Sequence, residues 1–387
     1  MESKTAARLA AEIRAAGFEV TEGVGGTGIV AVLENGPGPL VMMRADMDGL
    51  PLEEKTGLLH ASTVRQERGP DDIVPVMHAC GHDVHITSLV GTARFMSANL
   101  DRWSGTLMLI GQPAEEIGSG AKAMKADGLW ERFGKPDYAL GFHVAAGLET
   151  GKLDAVLGSP NSGSDSVDIL IHGVGAHGAS PHAGIDPVVL GSQIVMGLQT
   201  VVSRELPPRE AGLITVGSFH AGTKHNIIPD SAMLQLTVRN DNYETRRLLL
   251  DGIRRVAENM GRVAGLPDDK LPEMTIKHTT PPNMNHKGLT RRLRAAWADA
   301  LGDDVFNEVK RQSMYGEDFA YYGVDPAIPA TYFAVGGTTR EELDAAANGG
   351  PPVAPHHSPL FKIDPEGSVR FGVETTVLAL MELLQAE

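Results

Sequence analysis

The stretch from Val76 to Val90, VMHACGHDVHITSLV, concentrates residue types that bind metals. It holds His78, His82, His85, Asp83 and Cys80, the only cysteine of the chain. Thiolate and imidazole suit zinc and other late first-row metals, and carboxylates can complete the set. Cys80 and His82 are two apart. In an extended loop such residues project to one side, so both can reach one metal pair. The bland alternative is a polar turn before a helix with a buried free cysteine. It would win for a lone Cys or His. A C-G-H-D run flanked by two more histidines favours a site.

Further candidates recur at the same kind of position. Asp46 and Asp48 follow the apolar run at 39–43, Glu115 and Glu116 follow GTLMLI at 105–110, and His143 follows DYALGF at 137–142. Each group sits just beyond the carboxyl end of a strand, the edge where active sites lie in open α/β sheets. Adjacent Glu115 and Glu116 point in different directions, so one can bind metal while the other faces the substrate as general base toward an activated water. Alone, a Glu-Glu pair is an ordinary exposed surface feature, and a lone His143 would be a core residue; the shared sheet edge reverses both readings. His357 has a weak local signal. His177, in the Gly-rich GAHGASPH, has an accessible imidazole, and a plain surface turn explains it equally well. Asn226, in HNIIPD, is weaker. Arg239, at a strand end, can pair a substrate carboxylate bidentately or simply form a salt bridge.

The elements that must position these residues follow from periodicity. Ser3 can cap a first helix with Leu9 and Ile13 on one face and Gly17 as its stop. Gly28–Leu33, Asn35-Gly36 and Pro39–Met43 read as a β-hairpin. A helix is expected over Asp83–Asn99, a buried strand over 105–110, another helix opening at Gly118-Ser119-Gly120, and a strand over 137–142 ending at His143. Strands alternating with helices imply an α/β sheet. From Asp165 the pattern changes. A half-buried strand to His172, a helix over Pro187–Arg204, strands over Leu213–Phe219 and Met233–Arg239, a helix over Glu244–Ala264 and a strand over Glu273–His278 give the order β-α-β-β-α-β, a ferredoxin-like unit. Alternation then resumes with a helix over His286–Leu301, a strand over Thr331–Val335 and a helix over Gly367–Leu384. The expected fold is an α/β catalytic domain in two segments, 1–163 and 279–387, with a mixed sheet and an inserted α+β domain at 164–278. The Ala/Gly/Pro-rich stretch 344–355 reads as a surface loop.

Composition narrows the function. The chain has 387 residues, 42% hydrophobic and 21% charged, an ordinary globular profile with room for two domains. A net charge of −15 argues against nucleic acid. No apolar run approaches the roughly 18 residues of a membrane span. One cysteine rules out an intrachain disulfide and fits a reducing compartment. The amphipathic, charged N-terminus is not a secretory signal as written, so the expected location is cytoplasmic. GVGGTG at 23–28 precedes a strand and lacks Lys-Ser/Thr, which argues against a nucleotide loop. No G-x-S-x-G elbow is present. A Cys80 nucleophile would leave two carboxylates and two further histidines without a role.

RADMD at 44–48, HACGHD at 78–83, QPAEE at 112–116, His143, HGASPH at 177–182, NIIPD at 226–230, GEDF at 316–319 and HSP at 357–359 occur in this order. Together they resemble the metal-dependent amidohydrolases that include hippurate hydrolase, bacterial aminoacylases and the plant indole-acetyl-amino-acid hydrolases. The resemblance implies a di-metal exopeptidase-like catalytic domain with an inserted lid and dimerisation domain. It implies two divalent ions per subunit, Zn or Mn, with Co or Ni as alternatives. Position by position it implies Cys80 as bridging thiolate and His82, Glu116, His143 and His357 as the other ligands. Glu115 matches the general base, Asp48 an acid that orients a ligand or the base, and His177 the lid histidine, which in related enzymes enters the neighbouring subunit's active site. The implied reaction is hydrolysis of N-acyl amino acids, with Asn226 or Arg239 on the substrate carboxylate, in a homodimer or higher homo-oligomer. The alternatives are a dipeptidase or carboxypeptidase of the same class, or an inactive protein that binds N-acyl ligands. Members of the family usually begin with a further segment carrying an L-H-x-x-P-E-L-type motif, absent from this sequence; a periplasmic or secreted location is the alternative expectation.

Overall fold

Four apolar side chains at helical spacing, Ala6, Leu9, Ala10 and Ile13, bury one face of the first helix, α1 (Ser3–Ala15), and Gly17 follows it in the left-handed region at φ +93°. Ser3 is the first helical residue and not its cap: Glu2 precedes the helix and makes no capping hydrogen bond to it through its side chain. The computed structural model describes residues 2–307, 311 and 313–385.

The chain continues through β1 (Glu19–Val24), β2 (Gly28–Asn35), β3 (Leu40–Asp46), β4 (Arg65–Gly69), β5 (Asp72–Pro75), α2 (His82–Ala98), β6 (Gly105–Gln112), α3 (Gly120–Ala126), α4 (Leu129–Phe133), β7 (Tyr138–Glu149) and β8 (Leu153–Asp154). A second unit follows: β9 (Gly163–His172), β10 (Ala176–His177), α5 (Pro187–Thr200), β11 (Gly212–Ala221), β12 (Ile227–Ile228), β13 (Ser231–Asn240), α6 (Tyr243–Val263) and β14 (Glu273–Thr280). The chain then returns with α7 (Lys287–Leu301), β15 (Ala330–Thr338), α8 (Arg340–Ala347) and α9 (Pro365–Leu383). Among the described residues the first unit takes 2–160, 284–307, 311 and 318–385, and the second takes 161–283 and 313–317.

In the first unit seven strands form one mixed sheet in the order β1-β2-β6-β3-β7-β15-β8. The four central strands β6, β3, β7 and β15 run parallel, and β1, β2 and β8 join antiparallel at the margins. The expected hairpin between β2 and β3 does not exist, because β6 lies between them. Asn35-Gly36 is followed by Pro37-Gly38-Pro39, whose prolines have no N–H to give a partner strand. Asn35 instead donates its side-chain amide to the carbonyls of Leu100 and Trp103, beside the start of β6. The hairpin of this region is β1–β2, turning through Gly25 and Gly26, both at positive φ. One sheet face is covered by a core that includes Ile13, Leu89, Met96, Leu293, Trp297 and Leu380; the other packs on Met124, Leu129, Phe319 and Tyr322. Both faces of the central strands are therefore buried, as parallel strands require.

In the second unit the sheet order is β11-β13-β9-β14, antiparallel throughout, with α5 and α6 packed on it through Leu190, Ile194, Leu249 and Ile253. This is the ferredoxin-like arrangement. Asp186 caps α5 through Val188 N at 2.8 Å with Pro187 at the first position, and Asn242 caps α6 through Thr245 N at 2.8 Å. The helix expected to reach Arg204 changes to a π-helical turn at Val201–Glu205. The stretch read as a loop from 344 is helical up to Ala347, as the end of α8, with Thr339 as cap.

Candidate metal centre

Parallel strands bring their carboxyl ends to one edge, and the register shows what gathers there. Asp46 pairs with Gln112 across β3 and β6. Arg44 pairs with Gly141 across β3 and β7, so two residues further along Asp46 and His143 are level. His143 is nevertheless not at a strand end. β7 runs on to Glu149 because β15 continues to pair with it beyond His143.

The Cys80 loop is not extended either. Gly81, at φ +83°, turns the chain into α2, and His82 is the first helical residue. A Cβ on Gly81 would lie 2.2 Å from Val144 Cγ1, so the loop sits directly against β7. Cys80 and His82 still converge, because the turn folds them inward together. Cys80 Sγ lies 3.4 Å from His143 Nε2. His143 Nδ1 donates to the Val144 carbonyl at 2.6 Å, which leaves the lone pair on Nε2, facing the thiol. His82 Nδ1 donates to the Asp48 carbonyl at 3.0 Å and lies 3.2 Å from Asp48 Oδ1. Among the described residues its buried Nε2 makes no hydrogen bond, and the nearest carboxylate, Asp46 Oδ2, lies 3.6 Å away. A histidine whose one nitrogen is held by a carboxylate residue while the other makes no hydrogen bond is the arrangement of a metal ligand with its orienting partner.

Glu116 is fixed from two sides. Its backbone N donates to Asp48 Oδ2 at 3.0 Å, and its Oε2 lies 3.3 Å from His357 Nε2. His357 holds a left-handed backbone at φ +64° and donates its N–H to the Ala79 carbonyl at 2.8 Å, which hooks its loop onto the Cys80 loop. Ala114, just before Glu115, is likewise at φ +51°. Strained non-glycine residues of this kind persist where the surroundings over-determine them. Glu115 and Glu116 were expected to diverge. One oxygen of each lies within 4.8 Å of the other and of a His82 nitrogen, and their other neighbours differ: Glu116 groups with Cys80 and His357, Glu115 with Asp318.

Donor atoms within 4.8 Å of one another form one group of Cys80, His82 and His143 and a second of Cys80, Glu116 and His357. Cys80 is common to both. The electrostatics fit a cation. Burial pushes the Cys80 thiol up to about 12. Burial opposes a charge on His82, but Asp46, Asp48 and Cys80 outweigh it and hold the imidazole well above the usual histidine range. Burial raises Asp48, yet its contacts with His82 and the Glu116 N–H bring it below the usual carboxylate range. The pocket thus calls for positive charge among a thiol, three imidazoles and carboxylates, a donor set for zinc and neighbouring metals.

Sequence reasoning placed Asp46 at the sheet edge and His85 in the metal-binding run, but gave no role to Arg44, Gln112 or Asp318 in the layer beneath. Arg44, fully buried, bonds Asp46 at 2.7 Å, Gln112 Oε1 at 2.9 Å and Asp318 at 3.0 Å. Asp46 also accepts from His85 Nδ1 at 2.5 Å, and His85 Nε2 accepts from Val144 N at 2.9 Å. Burial pushes His85 down to about 3, so it is a neutral strut between β3 and β7. A charged residue inside the apolar run VMMRAD was the available signal.

The other sequence candidates lie in the second unit. His177 and Asn226 come together there: Ile227 pairs with His177 across β10–β12, and Gly178 N donates to the Asn226 carbonyl at 2.8 Å. Both side chains are exposed. Arg239 is half-buried near the end of β13, and burial lowers its pKa.

Comparison with known proteins agrees with this geometry. The family described as Peptidase family M20/M25/M40 matches residues 42–349. A Saccharolobus solfataricus protein named thermostable carboxypeptidase 1 is 33% identical over 94% of this chain and 86% of its own length. A Campylobacter jejuni protein named hippurate hydrolase is 34% identical over 82% of this chain and 79% of its own length. Among solved structures, the Bacillus subtilis YXEP protein, described as a dinuclear metal binding peptidase from the M20 family, superposes with a TM-score of 0.79 at 28% identity, covering 100% of this chain and 94% of that one. With a matching family description over most of its length and relatives this similar, the chain belongs to the M20/M25/M40 family of peptidases.

Proposed function

We propose that this protein hydrolyses the amide bond of small N-acyl amino acids at a centre of two divalent cations, Zn or Mn. The observation that carries the proposal is the sharing of Cys80 Sγ by two donor groups, beside a buried His82 Nε2 that no hydrogen bond satisfies. Cys80, His82 and His143 would hold one ion, and Cys80, Glu116 and His357 the other. When bound, such ions supply Lewis-acid polarisation of the scissile carbonyl and acidify the attacking water. The remaining steps fall to side chains. Glu115 takes the proton of the attacking water and returns it to the leaving nitrogen, as a general base and then acid. Asp48 keeps His82 and Glu116 oriented, through His82 Nδ1 and the Glu116 N–H. His177 is assigned to the developing oxyanion, and Arg239 or Asn226 to the substrate carboxylate. Among the described residues Arg239 makes no ion pair, which suits a group kept for a ligand. The inserted unit is read as the lid and as the contact between subunits of a homodimer.

Replacing Glu115 by Gln tests this directly: turnover should be lost while metal content stays at the wild-type level. Retained turnover would remove Glu115 from its role. A second reading, peptide hydrolysis, is favoured by the likeness to the protein named thermostable carboxypeptidase 1. Rates on N-acetyl, N-benzoyl and dipeptide substrates measured side by side separate the two.

A further inference from the structure

The segment that carries Glu115 and Glu116 is held at both ends by one carboxylate. Asp318 is 1% exposed. Its Oδ1 accepts from Gln112 Nε2 at 2.7 Å and from Arg44 Nη2 at 3.0 Å, and its Oδ2 accepts from Ala121 N at 3.1 Å. Gln112 is the last residue of β6 and Ala121 the second of α3. The chain between them is tightly folded. Ala114 is at φ +51°, Gly118 N donates to the Glu115 carbonyl at 2.7 Å, and a Cβ on Gly120 would lie 1.6 Å from the Pro113 carbonyl oxygen. The two ends of this closed loop therefore meet on Asp318. Arg44 extends the tie to the neighbouring strand through Asp46, and Asp48, two residues on, accepts from Glu116 N.

We propose that Asp318 is a positioning residue, which sets where Glu115 and Glu116 present their carboxylates by closing the loop from Gln112 to Ala121. The inference rests on the functional reading above, in which Glu115 is the base. The chemistry of the side chain supports it. Two oxygens take three donors from three different elements, and no neutral side chain of this size can accept all three. Asparagine would keep one oxygen and turn an NH₂ group toward either Ala121 N–H or the Arg44 and Gln112 donors. The loop would then lose one of its ends.

The test compares wild type, Asp318→Asn and Glu115→Gln. In metal-free protein, hydrogen exchange of amides in the Gln112–Ala121 segment should rise at least ~10-fold in Asp318→Asn, with the rest of the sheet unchanged, since local opening reports the lost tie. With metal restored, kcat should fall ~100-fold, the scale of a misplaced catalytic group, while KM stays within about twofold. A merely structural residue would lower the melting temperature and leave both readouts, per folded and loaded molecule, at wild-type values; that result overturns the proposal. Gln112→Met cuts the other contact to Asp318 and keeps both Arg44 ion pairs. It carries the same two expectations should Asp318→Asn not accumulate as folded protein. If Glu115→Gln retains turnover, the functional reading fails separately, and hydrogen exchange alone decides whether Asp318 closes the loop.

Discussion

Replacing Gly81 by alanine should damage both the fold and the metal centre, and the structure separates the two costs. Gly81 is at φ +83°, and an L-residue there pays about 1–2 kcal/mol for left-handed backbone. Its new Cβ would also lie 2.2 Å from Val144 Cγ1. Relieving that contact is overpacking, worth about 1–3 kcal/mol. The total is about 2–5 kcal/mol. Val144 cannot move alone, because its N–H donates to His85 and its carbonyl accepts from His143 Nδ1. The strain therefore reaches His143, one of the proposed ligands. Gly17→Ala is the control. Gly17 is at φ +93°, but a Cβ there meets nothing within 4 Å, so only the backbone cost of about 1–2 kcal/mol applies. Urea unfolding of the metal-free proteins measures the two costs, and metal content after dialysis measures the second effect. Gly81→Ala should be the less stable variant and should bind metal more weakly, whereas Gly17→Ala keeps its metal. Equal stability losses with full metal binding in both would refute the reasoning.

Metal binding should release protons. At neutral pH the Cys80 thiol, raised to about 12, and His82, held above the usual histidine range, both carry protons that a metal must displace. Affinity therefore rises with pH, and calorimetry in two buffers of different ionisation enthalpy should show about two protons released per chain at pH 7; no release would contradict the assignment. Cys80→Ser should fail to hold two ions and lose most of its activity, checked by metal analysis beside turnover, because both donor groups use that one sulfur.

What the sequence made legible was local chemistry. Cys80, His82, Glu115 and Glu116 stand in runs whose types announce metal binding, and the apolar stretches before Asp46 and Glu115 mark strand ends. What it hid was pairing at a distance. Asn35-Gly36 carries a hairpin signal, but β6 takes the place beside β2, and no local residue says so. β1, EVTEGV, is too polar to read as a strand, and it forms because β2 offers it an edge. His143 looked terminal because it interrupts an apolar run, but Val144-Ala145-Ala146 resume that run and β15 extends the pairing beyond it. The left-handed backbone of Ala114, at φ +51° just before Glu115 and Glu116, has no local signal either. Arg44 and Asp318, which brace the centre, are 274 positions apart, and only the fold brings them into contact.

The central claim is that two ions held through Cys80 let Glu115 hydrolyse an N-acyl amino acid. Titrating chelated protein with Mn²⁺ or Zn²⁺ while following hydrolysis of an N-acyl amino acid tests it most directly. Activity should be absent after chelation and return as bound metal approaches two ions per chain. Undiminished hydrolysis by protein shown to hold no metal would contradict it.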